Sequence, residues 1–223
     1  MRTHAFLFSA LSAFCISTVA SAATYTVNYL ADYADPNPGD GICAGNGNTN
    51  FCTLRAAVQT ANAHAGADTI VLPGGTYVLS LHGAGEDAAA SGDLDITDSV
   101  TIQAQTAGVV PVIDGDGADR IFDISGPTAN SIDVTLFGLR LTNGVAGPAG
   151  TTNDEIGGAI RAGTTSAISG LNNFNIDYCI LDNNTASGGG AIYLNSANTL
   201  SMQYVLLTAN RAHPLGAGSS VLG

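Results

Sequence analysis

An internal repeat in the second half of the chain narrows the fold more than any other feature. The segment Val134-Thr135-Leu136-Phe137-Gly138-Leu139-Arg140-Leu141-Thr142-Asn143 aligns with Phe174-Asn175-Ile176-Asp177-Tyr178-Cys179-Ile180-Leu181-Asp182-Asn183. Both align with Leu200-Ser201-Met202-Gln203-Tyr204-Val205-Leu206-Leu207-Thr208-Ala209. The offsets are about 40 and then about 26 residues, so one repeat is about 26 residues long and the longer interval holds an insertion over 145–156. Gly157-Gly158-Ala159-Ile160 recurs in the same way as Gly189-Gly190-Ala191-Ile192. Units this short cannot bury an apolar face alone, but stacked in register they share one core. The alignment predicts an inward ladder of Leu139, Cys179 and Val205 and a second of Leu141, Leu181 and Leu207, with Asp182 turned outward. Cys179 stands where Leu and Val stand elsewhere, which reads as a buried free thiol acting as a small hydrophobe. Asn184 and Asn210 coincide at a turn, where an amide side chain can bond neighbouring backbone groups.

The same short-strand pattern begins at Asp68. Thr69-Ile70-Val71-Leu72 and Thr76-Tyr77-Val78-Leu79 flank Pro73-Gly74-Gly75, and apolar alternation continues through Ile96, Ile102, Ile113 and Ile124. Long helical patterns are too few for helical crossovers, so parallel strands must return by winding. The expected fold class is all-β, a parallel solenoid over residues 67–223. One helix precedes it: Thr53 can cap Leu54, Ala57, Val58 and Ala61 at i, i+3, i+4 and i+7, with Gly66 as the stop. A short amphipathic helix of this kind suits a lid on the end of an apolar column.

Residues 1–22 read as a secretory leader. Arg2 and His4 precede an apolar run to Ala20, and Ala20-Ser21-Ala22 offers small residues for cleavage before Ala23. No later run is long enough to span a bilayer, so the mature chain is expected to be secreted or held at the cell surface. Residues 23–66 then form an N-terminal cap. Within it Cys43 and Cys52 flank a polar loop that a disulfide would close in an oxidising compartment.

Charge removes one class of partner. The chain has 18 acidic residues against 6 Lys and Arg, for a net charge of −12. The cations after the leader are Arg55, Arg120, Arg140, Arg161 and Arg211, with no Lys and no basic stripe, so no nucleic-acid partner is expected. A glycan or another cell-surface ligand is compatible with this balance.

Cys52-Thr53-Leu54-Arg55-Ala56-Ala57-Val58, the run from Ala67 to Tyr77 and Gly92-Asp93-Leu94-Asp95-Ile96-Thr97 resemble the N-terminal module called the CSLREA domain. Ala56 stands where that family has Glu. The Gly-Gly-Ala-Ile and Leu-x-x-Asn-x-Ala units resemble polymorphic outer-membrane protein repeats, with Leu181 and Leu207 in place of the usual Phe. The resemblance implies a right-handed, pectin-lyase-like parallel β-helix in an exported bacterial protein. It implies no particular reaction.

Chemistry has few candidates. Asp93, Asp95 and Asp98 lie on one stretch, and Asp114, Asp116, Asp119 and Asp123 on another, with Arg120 among them. Polysaccharide lyases of the resembled fold use such carboxylates for calcium and an Arg or Lys as base. On that pattern Asp114, Asp116 and Arg120 are the catalytic candidates, and Asp93, Asp95, Asp114 and Asp116 the calcium ligands. Against it, Asp114-Gly115-Asp116-Gly117 is good turn chemistry, and Asp93 and Asp95 alternate with Leu94 and Ile96 as an outward strand face does. The loops 83–91 and 145–156, bearing Glu86, Asp87, Asp154 and Glu155, are the expected contact surfaces. The leading expectation is a non-catalytic exported surface or adhesion protein; the alternative is a polysaccharide lyase or glycoside hydrolase on the same scaffold. Residues after Pro214 are too rich in Gly and Ser to lid the stack, which is therefore expected to be truncated or uncapped there and to self-associate through its C-terminal end.

Overall fold

The structure, a computed structural model, describes residues 21–83, 85–125, 132–146, 156–163, 171–194 and 199–212. The leader up to Ala20, Asp154, Glu155 and the segment after Pro214 lie outside the described residues.

Short strands and one α-helix make up the described chain. In order they are β1 (Thr24–Thr26), α1 (Leu54–Ala63), β2 (Asp68–Leu72), β3 (Thr76–Val78), β4 (Leu94–Ile96), β5 (Val100–Ala104) and β6 (Val112–Asp114). There follow β7 (Phe122–Ile124), β8 (Ile132–Phe137), β9 (Arg140–Thr142), β10 (Ile160–Ala162), β11 (Leu171–Asp177) and β12 (Ile180–Asp182). The last are β13 (Thr185–Ala186), β14 (Ile192–Leu194), β15 (Thr199–Gln203), β16 (Leu206–Thr208) and β17 (Arg211–Ala212). No described helix is long and apolar enough to cross a membrane.

All the sheets are parallel. One is ordered β1-β2-β5-β8-β11-β15, a second β3-β6-β9-β12-β16, a third β4-β7-β10-β14, and β13 pairs with β17. From β2 to β16 the chain therefore enters the first, second and third sheets in turn and repeats that circuit, with β13 interposed. Parallel neighbours commonly return through a helix. Here the return path is made of the strands of the other two sheets.

The register follows the repeat. Leu136, Ile176 and Met202 are paired neighbours in the first sheet, as are Leu141, Leu181 and Leu207 in the second and Phe122, Ile160 and Ile192 in the third. Inward members such as Ile70, Ile102, Leu136, Ile176, Leu141 and Leu181 are fully buried in a single core. Leu207 keeps the register but is 48% exposed, as the outermost ladder member among the described residues. Cys179 is buried and free, its Sγ lying 3.6 Å from the Leu136 carbonyl.

The corners on either side of the second sheet use left-handed backbone. Gly138, Tyr178 and Tyr204 occupy it at φ 72°, 54° and 54° between the first and second sheets, and Asn143, Asn183 and Ala209 occupy it after the second. Beyond the second corner the amides form a polar ladder. Asn184 Oδ1 accepts from Gly144 N at 2.9 Å, and Asn184 Nδ2 donates to the Leu141 carbonyl at 3.2 Å and to Asn210 Oδ1 at 2.9 Å. Asn210 Nδ2 repeats the second contact one layer on, donating to the Leu181 carbonyl at 2.8 Å.

Two expectations change. Asp182 is buried: Arg140 grips it with two hydrogen bonds, Nε to Oδ1 at 2.8 Å and Nη2 to Oδ2 at 2.7 Å, because residues 140 and 182 sit on neighbouring strands of the second sheet. The helix is buried on more than its apolar stripe. Arg55 and Thr60 are buried with Leu54, Ala57, Val58 and Ala61, since Arg55 pairs with the buried Asp32 and the Thr60 hydroxyl donates to the Ala56 carbonyl. Thr53 does cap the helix, accepting from Ala56 N at 3.1 Å, while the helix already ends at Ala63, ahead of Gly66. Cys43 and Cys52 are joined as the sequence predicts.

Leu181→Asp should cost about 3–5 kcal/mol by burying an unpaired charge. Asp182→Ala should cost about 1 kcal/mol, its Arg140 partner being partly solvated. Asn184→Ala falls between them at about 2–3 kcal/mol, through stranded backbone groups of Gly144 and Leu141. Urea midpoints that rank the three differently would refute the register.

Candidate functional site

Two groups of side chains stand apart from the repetitive core. The first is a buried knot of acids and arginines on the outer face of the third sheet. Asp95, Asp123 and Arg161 occupy one row across β4, β7 and β10, between the inward residues Leu94 and Ile96, Phe122 and Ile124, and Ile160 and Ala162. Strand alternation puts these three opposite the core, as the sequence predicts for Asp95, yet all are buried, Asp95 at 1% exposure. A strap over residues 86–93 contributes to the cover. Arg55 of α1 donates to the carbonyls of Ala89, Gly92 and Asp93, and Asn62 Nδ2 donates to the Asp95 carbonyl at 2.7 Å. Ala89, fully buried, donates its N–H to Asp95 Oδ2 at 2.7 Å. Glu86 turns back to accept from Ala88 N and Ser91 N within its own loop.

Pairing inside the knot is nearly complete. Arg161 binds both oxygens of Asp123 through Nε and Nη2, and Arg120 Nε donates to Asp93 Oδ2 at 2.5 Å. Among the described residues no arginine is bound to Asp95. Burial pushes it up to about 8, with the charge on Asp93 adding to the rise, so it holds a proton at neutral pH. Burial likewise pushes Asp93 up to about 7 against the pull of Arg120, with Asp119 and Asp123 adding to the rise.

Asp87, Asp95 and Asp123 bring one oxygen each within 4.8 Å of one another. Calcium takes six to eight oxygens. Among the described residues three carboxylates converge here, and the guanidinium of Arg161 already engages both oxygens of Asp123.

The other sequence candidates are placed elsewhere. Asp114 Oδ1 accepts from Asp116 N at 2.9 Å and from Asn143 Nδ2 at 3.0 Å, which is turn chemistry. Asp116, at φ 56°, pairs with His82 Nε2 at 2.9 Å. Asp98 Oδ1 accepts the N–H of Ser99. Arg120, 4% exposed, is bound to Asp93 and to the Ile156 carbonyl, so its partners differ from those of Asp114 and Asp116. Sequence reasoning missed Arg161. The Gly-Gly-Ala-Ile repeat carried the signal, since it sets Arg161 beside Asp123 once Ile160 is laid on Phe122.

The second group lies on the corner between the first and second sheets. Phe137, Tyr178 and Tyr204 follow one another layer by layer, with ring centroids 5.5 Å and then 4.6 Å apart. They are exposed, Tyr204 at 73%. Beside them runs a groove of about 530 Å³ lined by Ala104, Ala107, Val109, Val110, Phe137 and Tyr178. No family model matches the chain, and no curated protein or solved structure matches it either.

Because the folded Asp93 and Asp95 titrate above the ordinary carboxylate range, their contribution to stability is full below about pH 4. It is lost as pH climbs through about 7 for Asp93 and about 8 for Asp95. Each group then lowers stability by up to about 1.4 kcal/mol per pH unit. Asp95→Asn, a neutral mimic that still accepts from Ala89, should flatten the decline between pH 5 and 8.5 in thermal melts. Parallel curves for the two proteins would show that Asp95 is ionised throughout.

Proposed function

We propose that this chain is an exported right-handed parallel β-helix of the CSLREA and polymorphic outer-membrane repeat type, secreted or held at the cell surface. Its role is to bind a glycan or other surface ligand without catalysis. The cyclic visit to three parallel sheets supports the winding, and the capped first layer supports a CSLREA-like N-terminus.

One observation carries the binding role. Tyr178 and Tyr204 sit in left-handed backbone at φ 54°, where Gly138 sits one layer earlier. A bulky residue there costs about 1–2 kcal/mol relative to the right-handed regions, and glycine would relieve the strain. The rings stay more than half exposed, Tyr204 at 73%, so burial and stacking offset only part of that. Strain of this kind, retained by exposed aromatic residues, supports a functional reading of the corner. Stacked rings with exposed hydroxyls beside an apolar groove offer what a sugar polymer needs: flat apolar contact and hydrogen-bonding groups together. The acidic knot does not compete for the role of active site. Its arginines are bound within it, and a glycosidase needs two carboxylates flanking a substrate in an accessible site.

Substituting Tyr178→Gly and Tyr204→Gly together should leave stability within about 1 kcal/mol of the parent, the relieved strain offsetting the added chain entropy. Binding on an array of acidic and neutral polysaccharides should fall at least about tenfold. Unchanged binding would remove the corner from the mechanism. Release of unsaturated or reducing ends from any of these polymers, abolished by Arg120→Ala, would establish the lyase or hydrolase reading instead.

A further inference from the structure

Asp68 opens β2 and faces inward with Ile70 and Leu72, so the strand pattern places a carboxylate at a position of the core. It is 1% exposed. Its Oδ1 accepts the N–H of Ala23 at 2.7 Å and lies 3.2 Å from His64 Nδ1. Its Oδ2 is buried with no hydrogen-bond partner among the described residues, and so is the hydroxyl of Tyr25, two residues beyond Ala23. Tyr25 is raised by burial first and by the charge on Asp68 second, which puts the two in one electrostatic neighbourhood. A buried carboxylate oxygen left unpaired is costly, and a single amide N–H cannot serve both oxygens.

The neighbouring backbone shows what would complete the site. Ser21 and Ala22 are exposed, and they lie so close to Gly66 that a Cβ there would come within 3.0 Å of the Ser21 carbonyl. Ala22–Ala23 is also the bond that the leader reading marks for cleavage. Its hydrolysis consumes one water, leaves a carboxylate on Ala22 and frees an amine on Ala23, which takes up a proton. One N–H donor becomes an ammonium with three, already positioned at Asp68.

We propose that Asp68 is a built receptor for the α-ammonium that leader removal creates at Ala23, so that processing completes an ion pair beneath the N-terminal cap. This rests on the export reading, with an endopeptidase of small-residue specificity as the cleaving agent. His64 and Tyr25 are the other titratable groups at the site, and the new cation joins them beside Asp68.

The sequence supplies an unusually clean probe, because the chain contains no Lys and the processed protein has one primary amine. The full-length chain is expressed with its leader in an exporting bacterium, purified, and its first residue determined by N-terminal sequencing. An amine-selective acylating reagent is then applied near pH 7.5 to the native protein, to the protein in denaturant, and to Asp68→Asn. A chain kept one step longer, with Ser21-Ala22 retained after release from a cleavable fusion, serves as the second variant should Asp68→Asn fold poorly. We expect Ala23 as first residue and native acylation at least about tenfold slower than in denaturant, equivalent to one pKa unit or more of protection. Asp68→Asn and the extended chain should both lose that protection. A protein that begins at Ala23 but labels at the unprotected rate would overturn the receptor and leave export standing. A leader that is retained, or cut at another bond, would overturn the proposal together with the processing on which it rests.

Discussion

Each strand of the three large sheets hydrogen-bonds to the strand that the chain laid down one circuit earlier, so residues one circuit apart are forced into contact. Like must then stack on like. An inward position has to be apolar in every layer, and a polar corner has to find its partner in the corner above or below. Leu141 under Leu181 and Asn184 under Asn210 are two expressions of that rule. The rule also explains why the stack needs a different solution at its first layer. There α1 packs on β1 and β2, supplying buried side chains in place of a preceding strand.

Charge obeys the same rule. Arg140 reaches Asp182 and Arg161 reaches Asp123 across adjacent strands, and Arg120 reaches Asp93 on the preceding circuit. Arg55 performs the corresponding task in the cap, with Asp32. Such pairs gain from a planar fork that meets a carboxylate at two points, which a lysine cannot supply. A chain with arginine as its only side-chain cation beyond histidine is thus consistent with cations used mainly as internal ties. Asp95 and Asp68 are two buried acids with no guanidinium bound to them among the described residues.

How much of this was readable beforehand depended on whether a residue repeats. Leu139, Cys179, Leu181 and Asn184 recur with their equivalents at a fixed offset, and the repeat alone gave their layers and faces. Asp93 and Asp95 do not recur in that way. Alternation placed them opposite Leu94 and Ile96, but nothing in the spacing showed that α1 and the loop at Ala89 would cover that face. Asp182 failed for a related reason: its outward direction was right, and its burial came from an arginine 42 residues away in sequence. The ring stack at Tyr178 was within reach, because the alignment already set Tyr178 beside Tyr204. What the alignment could not show was the left-handed backbone beneath both.

The corner carrying those rings has a geometric consequence. It joins Phe137 to Arg140, Asp177 to Ile180 and Gln203 to Leu206 with two intervening residues each time. Links of equal length in successive layers set Tyr178 and Tyr204 close to the spacing of parallel strands, about 4.8 Å, with their centroids 4.6 Å apart. The corner is therefore a ruler, graduated by the backbone itself. A polymer whose repeat matches that graduation would gain one equivalent contact for each layer it spans, so avidity would be set by counting layers.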